Sequence, residues 1–332
     1  MVPGYFAAYE ARHALPVVRP VAVRAVRAES EHPDSRLLVE TDRGTWSTRA
    51  LINATGTWTR PFLPHYPGHY AGRQLHYADY RGPEEFAGKR VLVVGGGASA
   101  IQVLSEVAAV GRTVWVTRSE PVYHDGPFTP EYGRAVVAKV EERVRQGLPV
   151  RSVVSVTGLG PSVAYRRAEE LGALHRQPMF DRLTEHGVAW GDEELAVDAI
   201  VWATGFRPEV GHLAPLGLRS PGGGIALTGT RATADPRVHL VGYGPSASTV
   251  GATGPGVRPS TTCQAPRGPG DGARPRDAVI PSGPTAWASR RSQAAGPVRE
   301  RGGGEGGHGR GGSAVVVDGH PVGERPAWQV RT

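Results

Sequence analysis

The sequence VLVVGGGASA at residues 91–100 decides the fold. The apolar run over 89–94 predicts a buried parallel strand, and the apolar periodicity after it predicts a helix over about 98–110. The glycine-rich turn between them has the pattern G-x-G-x-x-A, formed by Gly95, Gly97 and Ala100. A strand, a glycine turn and a helix in this order are typical of a Rossmann-like nucleotide-binding domain.

The chemistry of this turn favours a bound dinucleotide over a tight strand–helix turn without a ligand. Gly95 permits the turn, Gly97 lets a pyrophosphate approach the backbone, and Ala100 keeps the helix close to the strand. The helix N-terminus attracts the anion. The predicted cofactor-binding residues of the turn are Gly95, Gly96, Gly97, Ala98, Ser99 and Ala100.

The end of the next strand, predicted over 113–117, indicates which dinucleotide binds. NAD-specific domains place an acidic residue there to bind the ribose hydroxyls. Arg118 and Ser119 stand there instead, where they could bind a 2′-phosphate, so the sequence favours NADPH over NADH. Glu120 lies close enough to keep NADH as an alternative, and Arg118 could also be a solvated strand end.

Outside this unit, the first fifty residues predict β structure. Val-rich alternation over 17–26 and two further short runs at 36–41 and 45–52 predict a three-stranded meander. A helix is predicted over 130–146, and late strands over 198–202 and 238–241.

Three further motifs accompany the glycine turn. Ala-Thr-Gly occurs twice, each time at the end of an apolar strand, so we select Thr55, Gly56, Thr204 and Gly205. The pattern Y-x-G-x-x-x-H-x-x-x-Y starts at Tyr70 and contains Gly72, His76 and Tyr80. Taken alone, a histidine such as His76 is more typical of a structural hydrogen bond than of catalysis.

The order of these motifs resembles that of the flavin-containing monooxygenase family and its relatives among flavoprotein oxidoreductases. The resemblance covers residues 1–252. Tyr70 stands where the family signature begins with Phe, which is a mild departure. The final Tyr80 is similar to flavin-containing and N-hydroxylating monooxygenases, whereas Baeyer–Villiger relatives usually carry Trp there.

The resemblance implies an α/β flavoprotein with two dinucleotide-binding domains. A Rossmann-like NAD(P)-binding domain at 83–203 would be inserted in an FAD-binding domain formed by 1–82 and 204–252. Thr55, Gly56, Thr204 and Gly205 would be hinge strands near the cofactors. Gly72, His76 and Tyr80 would lie in the linker where the domains meet.

Two departures from the family pattern concern the ends of the chain. The family opens with a strand and a G-x-G-x-x-G turn for the FAD pyrophosphate, and this sequence has none, so we expect an incomplete FAD domain. Residues 253–332 contain no Leu and no Phe and are rich in Gly, Pro and Arg, which predicts a disordered tail. The tail is either a natural basic segment or an out-of-frame translation. The family pattern stops where the tail begins, which favours the second origin.

The resemblance implies NADP and FAD as cofactors and a small nucleophilic nitrogen- or sulfur-containing substrate, oxygenated through a flavin hydroperoxide. The alternative is a truncated, inactive NADP-binding remnant.

Other function classes are disfavoured by composition. Most of the net charge of +7 lies in the tail, so no nucleic-acid-binding face is expected. The single cysteine, Cys263, argues against a disulfide reductase. We expect no metal site, no membrane span and a cytoplasmic protein, and the oligomeric state is not predicted.

Overall fold

The computed structural model describes residues 2–32, 34–124, 126, 129–151, 156, 158–248 and 314–321. We number its helices and strands in chain order. The helices are α1 (Val2–Arg12), α2 (Ala98–Val107), α3 (Pro130–Arg145) and α4 (Val163–Glu170). The strands are β1 (Val23–Ala28), β2 (Leu37–Thr41), β3 (Gly44–Ala54), β4 (Arg73–His76), β5 (Arg90–Val94), β6 (Arg112–Thr117), β7 (Arg176–Pro178), β8 (Arg182–Leu183), β9 (Gly187–Trp190), β10 (Glu193–Ala196), β11 (Ala199–Trp202), β12 (Leu227–Thr228), β13 (Arg231–Ala232), β14 (Val238–Leu240) and β15 (Ala314–Pro321).

A five-stranded parallel sheet in the order β4-β11-β5-β6-β7 positions the glycine turn. Its central strand β5 is apolar on both faces, as expected of a buried parallel strand. Val91 and Val93 pack with α2 on one face, while Leu92 and Val94 pack toward the other. The helix α2 follows β5 directly, which confirms the strand–turn–helix prediction.

A small antiparallel sheet, β10-β9-β8, covers the second face of the five-stranded sheet. Val188 of β9 and the neighbouring Phe180 belong to one buried cluster with Leu92, Ile200 and Trp202. The sheet that carries the glycine turn is therefore covered on both faces, by helix on one side and by strands on the other.

A second large sheet contains the predicted meander. Strands β1, β2 and β3 pair antiparallel, and β14 pairs parallel to β3 with Val238 opposite Leu51. Two short strands, β13 and β12, extend the sheet beyond β14. Val26, Leu37, Leu51 and Leu240 form the centre of its buried cluster.

The N-terminal region differs from the sequence prediction. The residues before the meander form α1, and β1 begins at Val23 rather than at residue 17. Pro16 and Pro20 explain the shorter strand, because proline has no N–H to donate to a sheet ladder. Pro3, Gly4 and the general exposure of α1 obscure its helical pattern in the sequence.

One segment of the predicted disordered tail is a strand. β15 pairs antiparallel with β3, from Ala314 opposite Ala54 to Pro321 opposite Trp46. Its run of three valines has high strand propensity, which explains why these eight residues depart from the expectation of disorder. The other tail residues lie outside the described part of the chain.

The domain boundaries at residues 82 and 203 stay predictions. β4 precedes the predicted boundary, yet it pairs with β11 in the sheet that holds the glycine turn. Among the described residues, no helix is long and apolar enough to cross a membrane.

Candidate dinucleotide-binding site

The first glycine of the turn is held between three strands of the parallel sheet. Gly95 donates its N–H to the carbonyl of Val116, and its own carbonyl accepts the indole N–H of Trp115 at 2.7 Å. Its φ is +139°, and a Cβ at this position would lie 2.2 Å from the carbonyl oxygen of Ala203. Only glycine fits this conformation and this approach, because any side chain would be strained and would clash.

The third glycine opens α2 and leaves its N-terminus unobstructed. Gly97 is the N-cap residue, and no side chain accepts a hydrogen bond at this cap. A Cβ added to Gly97 would meet no protein atom within 4 Å. The free N–H groups of the first turn and the open space above Gly97 together suit an anion that approaches the backbone.

The remaining residues of the turn divide into packed and open positions. Ala100 is fully buried against the sheet, as predicted for a small residue at the strand–helix contact. Gly96 and Ala98 are exposed, and Ser99 is half-buried. The turn therefore presents its first residues to solvent at the carboxyl ends of β5, β6 and β11, the edge at which open parallel sheets bind nucleotides.

Two arginines, Arg118 and Arg176, have side chains near the end of β6, at the edge of the sheet that also carries the glycine turn. Arg118 and Ser119 are exposed directly after β6. Arg176 begins the neighbouring strand β7 and donates its Nε–H to Thr117 Oγ1 at 2.7 Å, with its Nη1 at 3.7 Å from Glu120 Oε1. Sequence reasoning missed Arg176, because only the pairing of β6 with β7 brings its side chain to Thr117 at the end of β6.

The signature histidine joins the end of β4 to the second Ala-Thr-Gly motif. His76 is buried, and its Nδ1 accepts the N–H of Ala78 at 3.1 Å. Its Nε2 lies 3.0 Å from the carbonyl oxygen of Gly205 and therefore donates a hydrogen bond to it. Both ring nitrogens are thus used within the protein, which gives His76 a positioning role in the structure.

The other two signature residues also make close contacts. A Cβ on Gly72 would lie 2.3 Å from the hydroxyl oxygen of Tyr70, whose hydroxyl donates to the carbonyl of Val197 at 2.9 Å. Tyr80 donates its hydroxyl to Glu106 Oε2 at 2.9 Å, which ties the segment after β4 to α2. Burial raises the pKa of the Tyr80 phenol, and the hydrogen bond and negative charge of Glu106 raise it further.

The two Ala-Thr-Gly motifs lie in segments that cross beside each other, residues 54–62 and 204–209, which we call the crossing segments. Thr55 Oγ1 donates to the carbonyl of Glu209, and the carbonyl of Gly56 accepts the N–H of Glu209 at 2.9 Å. Thr204 Oγ1 donates to the carbonyl of Phe62, whose N–H donates to Gly205 at 2.9 Å. All four selected residues therefore take part in one contact between the segments.

Metal-binding clusters are not found in the part of the chain that the structure describes, since no three His, Cys, Asp or Glu side chains converge there.

Buried histidines make stability depend on pH. Burial lowers the pKa of three histidines, His76, His212 and His239. At His76 the Gly205 carbonyl and Asp79 raise the pKa, but by less than burial lowers it. At His212 the charge of Glu209 opposes burial in the same way. Because the unfolded chain takes up protons first as the pH falls, we expect the free energy of unfolding to fall below about pH 6.5, by at most about 1.4 kcal/mol per pH unit for each histidine. Urea unfolding between pH 7.5 and 5.5 measures this slope. His76→Gln should make the slope shallower, and stability that rises on acidification would contradict the assignment.

Comparison with known proteins agrees with this geometry. The family model described as "Pyridine nucleotide-disulphide oxidoreductase" matches residues 2–242. The structure of a flavin-containing monooxygenase from Stenotrophomonas maltophilia is 37% identical, covers 75% of this chain and 72% of its own, and superposes with a TM-score of 0.61.

Two curated relatives are more distant. A Baeyer–Villiger monooxygenase from Streptomyces coelicolor is 26% identical over 61% of this chain and 32% of its own length. An L-lysine N6-monooxygenase from Escherichia coli is 26% identical over 54% of this chain and 49% of its own length. The chain thus spans about a third to a half of these two relatives. The long family match and the similar monooxygenase structure establish that the chain belongs to the pyridine nucleotide-disulphide oxidoreductase family, among its flavin-containing monooxygenases.

Proposed function

We propose that the chain is an NADPH-binding oxidoreductase of the flavin-containing monooxygenase type. The observation that carries this proposal is the turn from Gly95 to Ala100, where strict steric limits at Gly95 coexist with open space above Gly97. The pyrophosphate of the dinucleotide would bind the free N–H groups of the first turn of α2. When bound, NADPH supplies a hydride.

The charges at the end of β6 support NADPH over NADH. Arg118 offers a planar guanidinium for a 2′-phosphate, and Ser119 offers a hydroxyl. Arg176 adds a second positive charge at the same place. Its Nη1 also lies 3.7 Å from Oε1 of Glu120, the acid near the end of β6 that could instead accept hydrogen bonds from the ribose hydroxyls of NADH.

FAD is the second cofactor that family membership implies, and it reduces and activates oxygen when bound. Within the described residues, only β5 and α2 form a strand, a glycine turn and a helix of eight or more residues. β14 leads instead into a four-residue 3₁₀ helix at Gly244–Ala247. The described residues therefore offer a cradle of this kind for one dinucleotide. The role of Thr55, Gly56, Thr204 and Gly205 near the cofactors stays part of the proposal.

The proposed substrate is a small molecule with a nucleophilic nitrogen or sulfur atom. The lysine N-monooxygenase among the relatives and Tyr80 at the end of the signature support a nitrogen substrate. Disulfide chemistry is disfavoured, because the sequence contains one cysteine and such reductases need a pair.

Oxygen-dependent turnover tests the proposal. Purified protein is given FAD and NADPH, and NADPH oxidation, oxygen uptake and product formation are followed with a panel of amines and sulfides. Substrate-dependent oxygenation supports the monooxygenase. A protein that binds NADPH but does not oxidise it would support the second candidate, an NADP-binding protein without oxidase activity, which the single dinucleotide cradle among the described residues favours.

Nucleotide selectivity gives a sharper prediction. Arg118→Ala should weaken NADPH binding about tenfold, because one charge-assisted contact to the 2′-phosphate is lost, and should leave NADH binding within about twofold of wild type. Arg176→Ala should act in the same direction. Arg112→Ala, at the opposite end of β6, is the matched control and should change neither affinity. Equal losses for NADPH and NADH would contradict the 2′-phosphate assignment.

A further inference from the structure

A small groove lies beside the crossing segments and α2. It encloses about 260 Å³. Its polar and aromatic lining consists of Trp58, Tyr77, Tyr80, Arg81, Gln102 and Glu106. None of the glycine-turn residues lines it, so its ligand need not be the dinucleotide.

A carboxylate without a counter-ion lies in the wall of this groove. Glu106 accepts hydrogen bonds from Tyr80 through Oε2 at 2.9 Å and from Gln102 through Oε1 at 3.1 Å. No lysine, arginine or histidine of the described residues forms an ion pair with it. Its two hydrogen bonds fix the position of the carboxylate, and both come from neutral side chains.

Aromatic rings line the groove alongside this charge. Trp58 is 58% exposed, although its indole stacks on Phe206 with the ring centroids 5.1 Å apart. Tyr77 and Tyr80 lie nearly parallel, with an interplanar angle of 14° and centroids 6.3 Å apart. Their hydroxyls both donate to side chains of α2, so the polar ends of the rings are held by the protein.

The balance of charge around the groove is negative. Glu84 lies next to Gly82, where a Cβ would come within 2.3 Å of its carboxylate. Burial is the largest cause of the raised pKa of the Tyr80 phenol. The carboxylates of Glu106 and Glu84 raise this pKa further, which reflects the negative potential. Among the described residues, Arg81 is the one cation that lines the groove, and its Nη1 donates to the carbonyl of Ala78 at 3.3 Å.

We propose that this groove binds a small organic ammonium cation, with a methylated ammonium head as the best-fitting group. Aromatic faces and a fixed carboxylate attract a weakly hydrated cation that has few or no N–H donors. The volume is below the roughly 300 Å³ of the smallest typical drug-sized pockets, so the ligand is small. The proposal does not depend on oxygen transfer, because binding requires neither cofactor.

Choline and its neutral isostere 3,3-dimethylbutan-1-ol test the proposal. Both are titrated into the full chain by calorimetry at constant ionic strength, without nucleotide or flavin. We expect saturable binding of choline, and binding of the alcohol at least about tenfold weaker, because only choline carries the charge. Equal binding of the two, or binding of neither, overturns the proposal.

Two variants locate the site. Glu106→Gln keeps an acceptor for Tyr80 and removes the charge, and Trp58→Leu removes an aromatic face; each should weaken choline binding at least about fivefold. Glu141→Gln, an exposed position of α3, is the matched control and should bind as wild type does. Thermal unfolding checks that each variant is folded. Wild-type affinity in both groove variants would place any choline site elsewhere and overturn the proposal.

Discussion

Gly97→Val is expected to abolish NADPH binding while leaving the protein folded. A side chain at this position meets no protein atom within 4 Å of its Cβ, and the φ of −108° is accessible to every residue, so the fold has no reason to change. The added methyl groups would occupy the space through which the pyrophosphate reaches the α2 N-terminus. We expect affinity to fall at least about 100-fold, which corresponds to about 2.7 kcal/mol.

Fluorescence titration with NADPH measures this loss, and urea unfolding shows that stability is retained. Gly160→Val is the matched control, because a Cβ there would also meet no protein atom within 4 Å and Gly160 lies outside the glycine turn. It should bind NADPH within a few-fold of wild type. Wild-type affinity in Gly97→Val would show that the dinucleotide binds elsewhere.

Gly95→Ala, in contrast, is expected to lower the stability of the fold itself. The Cβ would lie 2.2 Å from the Ala203 carbonyl oxygen, and the φ of +139° is unfavourable for any L-residue with a side chain. We expect the free energy of unfolding to fall by about 3 kcal/mol or more, since backbone strain and a clash between two strands add together.

Gly126→Ala separates these two causes. Gly126 has nearly the same φ, +138°, but a Cβ there would meet nothing within 4 Å. It should cost clearly less, about 1 to 2 kcal/mol, because only the dihedral strain remains. Chemical denaturation of both variants gives the comparison. Equal losses would mean that the close approach of Gly95 to Ala203 contributes nothing beyond its dihedral angle.

The strand–turn–helix unit was predictable because its signals are local. An apolar run, a glycine pattern and a helical period lie within about twenty residues, and each constrains the same backbone. The meander and the helix beginning at Pro130 were predictable for the same reason. In the structure Thr129 caps this helix, because its Oγ1 accepts the N–H of Tyr132.

Features that depend on distant pairing were not predictable. Arg176 reaches the end of β6 only because β7 pairs there, fifty-nine residues after Thr117 in sequence. Trp115 resembles an ordinary core residue in the sequence, yet its indole N–H fixes Gly95. The exposed helix α1 was missed because it lacks the apolar face that identifies most helices.

The motifs chosen for their order along the chain do come together in space. His76 contacts Gly205, and the two Ala-Thr-Gly segments bond to each other through Thr55 and Thr204. Their part in cofactor binding stays a prediction, because a shared contact shows proximity and not the ligand. The groove beside them gave no sequence signal, since its lining comes from three separate stretches of the chain.

Titration of the purified chain with NADPH and NADH, followed by nicotinamide fluorescence, tests the central claim most directly. The account predicts saturable binding of one NADPH per chain, with NADH bound more weakly because it lacks the 2′-phosphate. Absence of saturable NADPH binding by the folded protein would contradict the assignment of the Gly95–Ala100 turn as a dinucleotide site.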